Sequence, residues 1–192
     1  MSIADRKSVL RSALSKERLS IPKDEWKQNS QLIINRLKGL KEFQEAKFIH
    51  TFVSMNDRNE VDTHNLIKEL LALAKKVAVP ITDFKRGELK HSKLESFSDL
   101  EANKWGVLEP ESTRPLTENL DIILVPLLGA DYSFNRLGYG KGFYDKFLQS
   151  TEALKVGLLF DQFILSKIPI DDFDEKLDIL ITEKRILRRN NH

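Results

Sequence analysis

Apolar residues return every three or four positions at the start of the chain. Ile3, Leu10 and Leu14 share one stripe with Lys7, and charged residues lie between them, which predicts an amphipathic helix. Ser20 and Pro22 end it and start a second. There Trp26, Ile33, Ile34 and Leu37 keep the helical period up to Gly39, a residue suited to the left-handed conformation that closes helices. Phe48, Ile49, Phe52 and Val53 then predict a first strand, with a polar loop over 54–60. Asp62 or Thr63 is placed to cap a helix built on Leu66, Ile67, Leu70, Leu71 and Ala74. Residues 77–81 predict a second strand. The stretch 84–106 has no clear period: Leu89 and Leu94 fit strand positions and 103–106 a turn, so it reads either as a two-stranded excursion or as loop. A continuous apolar run over 120–128, broken by Asp121 and Pro126, predicts a central strand buried on both faces. After a glycine-rich segment, Phe143, Tyr144, Phe147 and Leu148 predict a helix, and 156–160 and 177–182 two further strands. Strands alternating with helices predict an α/β fold with a largely parallel sheet.

Composition narrows this. A chain of 192 residues, 41% hydrophobic, is long enough for one sizeable core and short for two, so a single domain over 1–187 is expected, followed by a polar tail over 188–192 that frays. Lys plus Arg number 31 against 29 Asp plus Glu, a net charge of +2 with no long block of one sign, so no nucleic-acid partner is expected. The absence of cysteine excludes disulfides, thiolate nucleophiles and cysteine-ligated metals. No apolar run approaches the ~20 residues that span a bilayer, and no secretory pattern opens the chain. A cytoplasmic protein without membrane attachment or obligate protein partner is the expectation. His50, His64, His91 and His192 form no triad or metal-ligand spacing.

The chemistry concentrates in one segment: Asn135, Arg136, Leu137, Gly138, Tyr139, Gly140, Lys141, Gly142, Phe143, Tyr144, Asp145. Glycine at alternate positions lets backbone amides approach a ligand, Arg136 and Lys141 add cations, and a strand-to-helix loop is where open α/β sheets bind ligands. The segment matches neither the Walker nor the dinucleotide pattern, so on its residues alone it is either a phosphate loop or a glycine-rich turn.

The run from Arg136 to Asp145, behind Val125, Pro126, Leu127, Leu128 and Gly129, resembles the signature of the 5-formyltetrahydrofolate cyclo-ligase (methenyltetrahydrofolate synthetase) family. Further motifs agree in order: Lys7 with Arg11, Glu60-Val-Asp-Thr63, Trp105-Gly-Val-Leu-Glu-Pro110, and Leu177-Asp178. The resemblance implies a single three-layer α/β/α domain with a mostly parallel, Rossmann-like sheet. It implies ATP-dependent cyclisation of 5-formyltetrahydrofolate to 5,10-methenyltetrahydrofolate through a phosphorylated formyl group, with ADP and phosphate released. The alternative is a non-catalytic nucleotide- or folate-binding member of the same family.

Roles follow from the resemblance. Lys141, Arg136 and Tyr144 are expected to be catalytic. Lys7, Arg11 and the segment Arg136, Leu137, Gly138, Tyr139, Gly140, Lys141, Gly142, Phe143 and Tyr144 are expected to bind ATP. By spacing alone Lys7 and Arg11 read as cations at the edge of an apolar stripe. Val53, Glu60, Trp105, Tyr139 and Phe143 are expected to border the folate, Glu60 by accepting hydrogen bonds from the pterin. Asp145 and Asp178 are expected to hold Mg2+. Phe143 stands where the family usually has tyrosine, and Phe134 where it often has glycine, which puts the entry to the loop in question. The 55–59 loop is about two residues longer than in some relatives, enough to displace Glu60.

Overall fold

The computed structural model describes residues 1–83 and 85–190. The helices are α1 (Ile3–Leu19), α2 (Lys23–Lys38), α3 (Lys41–Glu45), α4 (His64–Ala72) and α5 (Phe143–Gln149). Ser2 and Asp5 form a capping box that starts α1. Gly39 closes α2 in a right-handed conformation, φ −76°, rather than the expected left-handed one. Thr63 is the N-cap residue of α4 but its side chain makes no capping bond, its hydroxyl donating to the Phe52 carbonyl at 2.8 Å; Asp62, one residue earlier, accepts the His64 amide on its Oδ1 at 3.0 Å.

The strands are β1 (Phe48–His50), β2 (Lys76–Asp83), β3 (Glu88–Leu94), β4 (Leu100–Ala102), β5 (Leu108–Pro110), β6 (Ile122–Val125), β7 (Gly129–Asp131), β8 (Arg136–Leu137), β9 (Leu154–Leu158), β10 (Ile164–Leu165), β11 (Ile179–Ile181) and β12 (Ile186–Arg188). The main sheet runs β12-β11-β9-β6-β1-β2-β3. Neighbours from β2 across to β11 are parallel, and β3 and β12 close the edges antiparallel. The fold is therefore mixed α/β with a large, mostly parallel central sheet.

Several elements differ from their sequence outlines. The apolar run over 120–128 holds one short strand: β6 stops before Pro126, which has no N–H to give a ladder, and the next strand, β7, begins only at Gly129 and belongs to a small second sheet with β8 and β10. Phe52 and Val53 lie beyond β1, buried in the loop that follows it. The unassigned 84–106 stretch contributes β3, paired with β2 from Val77 opposite Leu94 to Asp83 opposite Glu88, and the first half of a ribbon, β4 with β5. The expected fraying of 188–192 is not what the described part does: Arg188 ends β12 opposite Ile179, and the Arg189 amide donates to the Asp178 carbonyl at 2.8 Å. Residues 191 and 192, His192 included, lie outside the described residues.

From β1 the chain crosses to β2 on one side and later returns to β6 on the other. The carboxyl ends of β1 and β6 thus flank a topological switch point, the place where open α/β sheets bind ligands. Both strands are buried on both faces, and Ile49, Ile123 and Leu124 have no exposed surface. Beneath this end His50 Nε2 meets His91 Nδ1 at 3.0 Å, with Phe147 of α5 stacked on His91 at 3.8 Å. Burial pushes both imidazoles below their ordinary range, His91 to about 4, so they pack as neutral rings. No helix among the described residues is long and apolar enough to cross a membrane.

Candidate functional site

A cleft of about 870 Å³ opens over the carboxyl ends of β1 and β6. Val53 and Glu60 reach it from the loop after β1, Lys7 and Arg11 from α1, residues 136–145 from the glycine-rich segment, and Trp105 from the β4–β5 ribbon. Every expected site residue lines this cleft except Asp178.

The face that α1 turns inward is more cationic than its apolar stripe suggested. Lys7, Leu14 and Arg18 are its buried residues, while Ile3 and Leu10 are only half-buried. Lys7 Nζ donates to Asp171 Oδ2 at 2.7 Å and also pairs closely with Asp174. Arg11 Nε donates to the Gly138 carbonyl at 3.0 Å. Gly140 lies against the same guanidinium at φ +88°, and a Cβ there would stand 2.8 Å from Arg11 Cζ, so only glycine fits both the backbone and the space.

The glycine-rich segment follows a hairpin. Asp131 Oδ1 accepts from the amides of Ser133 and Asn135, and Phe134 turns the chain at φ 64° with its ring buried. A left-handed non-glycine residue costs roughly 1–2 kcal/mol, and the Asp131 bonds hold the turn nonetheless. The Phe134 departure therefore leaves the entry to the loop intact. The Arg136 side chain is 4% exposed. Its Nη1 donates to the Glu175 carbonyl at 2.6 Å and its Nη2 to Asp145 Oδ1 at 2.7 Å, while Nε is buried without a partner. The Tyr144 hydroxyl is likewise buried and unpartnered, and burial pushes its pKa up. Lys141 is exposed, and among the described residues it makes no hydrogen bond or ion pair. Phe143 is half-buried at the cleft.

Across the cleft, the lengthened loop does not displace Glu60. It folds into a short 3-10 turn at Asn56–Arg58, then Asn59 at φ 51°, and closes on the carboxylate, with the Met55 amide donating to Glu60 Oε2 at 2.8 Å. The Asn59 amide group donates to the Arg18 and Ile21 carbonyls, tying the loop to the end of α1. Glu60 Oε1 accepts a close hydrogen bond from the Tyr139 hydroxyl, and Trp26 Nε1 holds the Glu60 carbonyl at 2.6 Å. Burial raises the Glu60 pKa, opposed by the Tyr139 bond and then by the Arg18 charge. Arg18 was not among the expected residues. Its signal was present, because positions 7, 11 and 18 fall on one helical face, yet a cation there reads equally as the solvated edge of an apolar stripe.

The carboxylates require one correction. Asp178 precedes β11 and so sits at the amino end of a strand parallel to β9, away from the cleft. Its Oδ2 accepts from the Lys155 amide at 2.9 Å and its Oδ1 pairs with Arg189, a structural role at the opposite edge of the sheet. Asp174 and Asp171 line the cleft instead. Asp145 Oδ1 is shared by Arg136 and the Glu175 amide. No group of three or more carboxylates or imidazoles among the described residues could hold a metal ion by itself.

The model of the 5-formyltetrahydrofolate cyclo-ligase family matches residues 3–183. The chain is similar to the 5-formyltetrahydrofolate cyclo-ligase of Mus musculus, 28% identical over 95% of this chain and 96% of that protein. It is also similar to that of Escherichia coli (strain K12), 31% identical over 73% and 80%. Among solved structures it resembles the NMR structure of Aquifex aeolicus 5,10-methenyltetrahydrofolate synthetase, with a TM-score of 0.84 at 30% identity, covering 97% of this chain and 94% of that one. The fold is shared as well with a Mycoplasma pneumoniae 5,10-methenyltetrahydrofolate synthetase, with a TM-score of 0.72 at 21% identity.

Proposed function

The chain belongs to the 5-formyltetrahydrofolate cyclo-ligase family, and from that premise we propose that its cleft brings ATP and 5-formyltetrahydrofolate together and closes the folate to 5,10-methenyltetrahydrofolate. It is an enzyme, a ligase of one-carbon folate metabolism with ATP as co-substrate. The single observation that carries the assignment of the site is the division of one cleft: uncommitted cationic donors, Lys141 and Arg136 Nε, on one side and a buried, aimed carboxylate, Glu60, on the other.

The reaction needs a leaving group, because a formyl oxygen on nitrogen does not depart unaided. Transfer of the γ-phosphoryl group to that oxygen breaks its bond to the bridging oxygen of ADP. N10 then attacks the activated carbon and gives up its proton, and the C–O bond breaks to release phosphate. Lys141, a point charge on a flexible stem, is suited to follow the group in flight. Arg136, fixed by the Glu175 carbonyl and Asp145, presents a rigid donor beside it. Lys7 and Arg11 lie on the phosphate side, Lys7 held by Asp171 and Asp174 until a stronger anion arrives. Val53, Tyr139, Phe143 and Trp105 border the ring system, and Glu60 accepts from the pterin's donor edge.

Magnesium binds one or two carboxylates together with phosphate oxygens, so the lack of an all-protein cage is compatible with it. Asp145 and Asp174 are the carboxylates suited to hold it, and when bound it supplies counter-charge to the triphosphate. The test is growth of the methenyl chromophore when purified protein meets 5-formyltetrahydrofolate and ATP, with and without Mg2+. Product is expected only in the complete mixture; a flat trace from folded protein would favour a member that binds without turnover.

A further inference from the structure

One buried cation has no part in this account. Arg18 is 5% exposed and lies about two turns beyond Arg11 on α1. Its Nε donates to the Arg58 carbonyl at 2.9 Å and its Nη1 to the Leu127 carbonyl at 3.3 Å. These two bonds orient the fork, and the remaining Nη2 donates to the Tyr139 hydroxyl oxygen at 2.9 Å. That hydroxyl has one proton, and it goes to Glu60 Oε1. A hydroxyl that accepts from a cation becomes a stronger donor, so the guanidinium and the carboxylate act on each other through the phenol without touching. Glu60 Oε2 is held separately by the Met55 amide. Each carboxylate oxygen thus has one fixed protein donor, which leaves lone-pair capacity for a ligand.

We infer that Arg18 is a positioning residue for the folate side of the cleft: acting through the Tyr139 hydroxyl, it keeps Glu60 ionised and aimed at the donor edge of the substrate's pterin ring. The inference rests on the cyclo-ligase reading above. The groups facing Glu60 are Arg18 from α1, Arg58 from its own loop, and Tyr139 and Tyr144 from the glycine-rich segment and α5. Burial raises the Glu60 pKa, and Arg18 opposes that both by its own charge and through the Tyr139 bond. Protonated Glu60 loses its charge and turns one acceptor oxygen into a donor, so turnover on folate falls as pH drops through that pKa. Removing Arg18 raises the pKa further and moves this acid limb to higher pH.

The experiment compares wild type with Arg18→Gln, Arg18→Lys, Tyr139→Phe and the Arg18→Gln/Tyr139→Phe pair, using 5-formyltetrahydrofolate with saturating ATP and Mg2+ across a pH range. Arg18→Gln is expected to raise the KM for 5-formyltetrahydrofolate about tenfold and shift the acid limb up by about half a pH unit or more, with the KM for ATP changed less than about twofold. Tyr139→Phe is expected to move both readouts the same way, and the double variant to be no worse than the larger single one. Arg18→Lys keeps the charge without the fork, so it should restore the acid limb more fully than the KM. Should Arg18→Gln fail to fold, Tyr139→Phe carries the test, since it leaves the bonds of Arg18 to the Arg58 and Leu127 carbonyls in place. An acid limb unmoved by Tyr139→Phe, additive effects in the pair, or a parallel rise in the KM for ATP would each overturn the inference. A wild type that forms no methenyl product overturns the reading beneath it, whereas an active wild type with unmoved variants overturns only the role of Arg18.

Discussion

Glu60 and Lys141 face the same cleft and are held in opposite ways. The wall proposed for the folate is closed: Glu60, Tyr139 and Arg18 are linked in a chain, buried at both ends, that is tied to the backbone at Met55, Arg58 and Leu127. The wall proposed for the phosphates is open or provisionally paired. Lys141 is exposed, Arg136 keeps one donor free, and Lys7 is occupied by Asp171 and Asp174. The difference suits what each wall is proposed to meet. A ring with fixed donors rewards an acceptor that is already in place, because little ordering remains to be done on binding. A triphosphate undergoing transfer moves and changes charge, so its partners keep freedom until the ligand provides the counter-charge.

This contrast can be broken at its exposed lysine. Lys141→Ala is expected to lower kcat on the order of 10²–10³-fold, the range seen when a single group that stabilises developing charge is removed. The thermal midpoint should stay where it is, since Lys141 is exposed. An unchanged rate in steady-state assays, or a lowered melting temperature, would place Lys141 in the structural class and dissolve the difference between the walls. Gly140 tests the junction between them, where the segment crosses Arg11. Gly140→Ala must adopt φ near +88° and press on the guanidinium, at a cost of about 1–3 kcal/mol. The expected outcome is a rise of about tenfold or more in the KM for ATP, with a smaller change for the folate. Equal effects on both substrates would mean that the walls move as one body.

The smallest effect is expected furthest away. Asp178→Asn removes charge from the Arg189 pair and weakens the bond to the Lys155 amide, which should cost about 1 kcal/mol, or ~2–4 °C in melting temperature. Its kcat and its Mg2+ requirement should match wild type. A lost metal dependence in this variant would return Asp178 to the site from which its position just before β11 removes it.

Much of the architecture was readable in advance because it is encoded locally. The helical periods of α1, α2 and α4, the apolar stretch that became β6, and the glycine spacing after it each report which face of their own element is buried. The 84–106 stretch was only partly readable: Leu89 and Leu94 fit strand positions and lie in β3, but periodicity did not separate a two-stranded excursion from loop. The alternation of β3 is half-hidden by lysines and polar residues at an edge strand, where one side needs no apolar cover. The site followed the same divide. Glycines and flanking cations mark the phosphate segment by composition, whereas Arg18 looked like any cation beside an apolar stripe.

By itself the sequence determined the α/β class, the strand-loop-helix segment carrying Arg136 to Asp145, and the residue types available for phosphate and pterin. Only the tertiary structure decided which of them meet. It joined Arg18 to Tyr139 across 121 positions and Tyr139 to Glu60 across 79, and it exchanged Asp178 for Asp174 at the cleft. The reason is physical. Periodicity specifies the face of an element that turns inward, but which end of the sheet a residue reaches, and what stands opposite it, depends on strand order and direction, which are properties of the assembled fold.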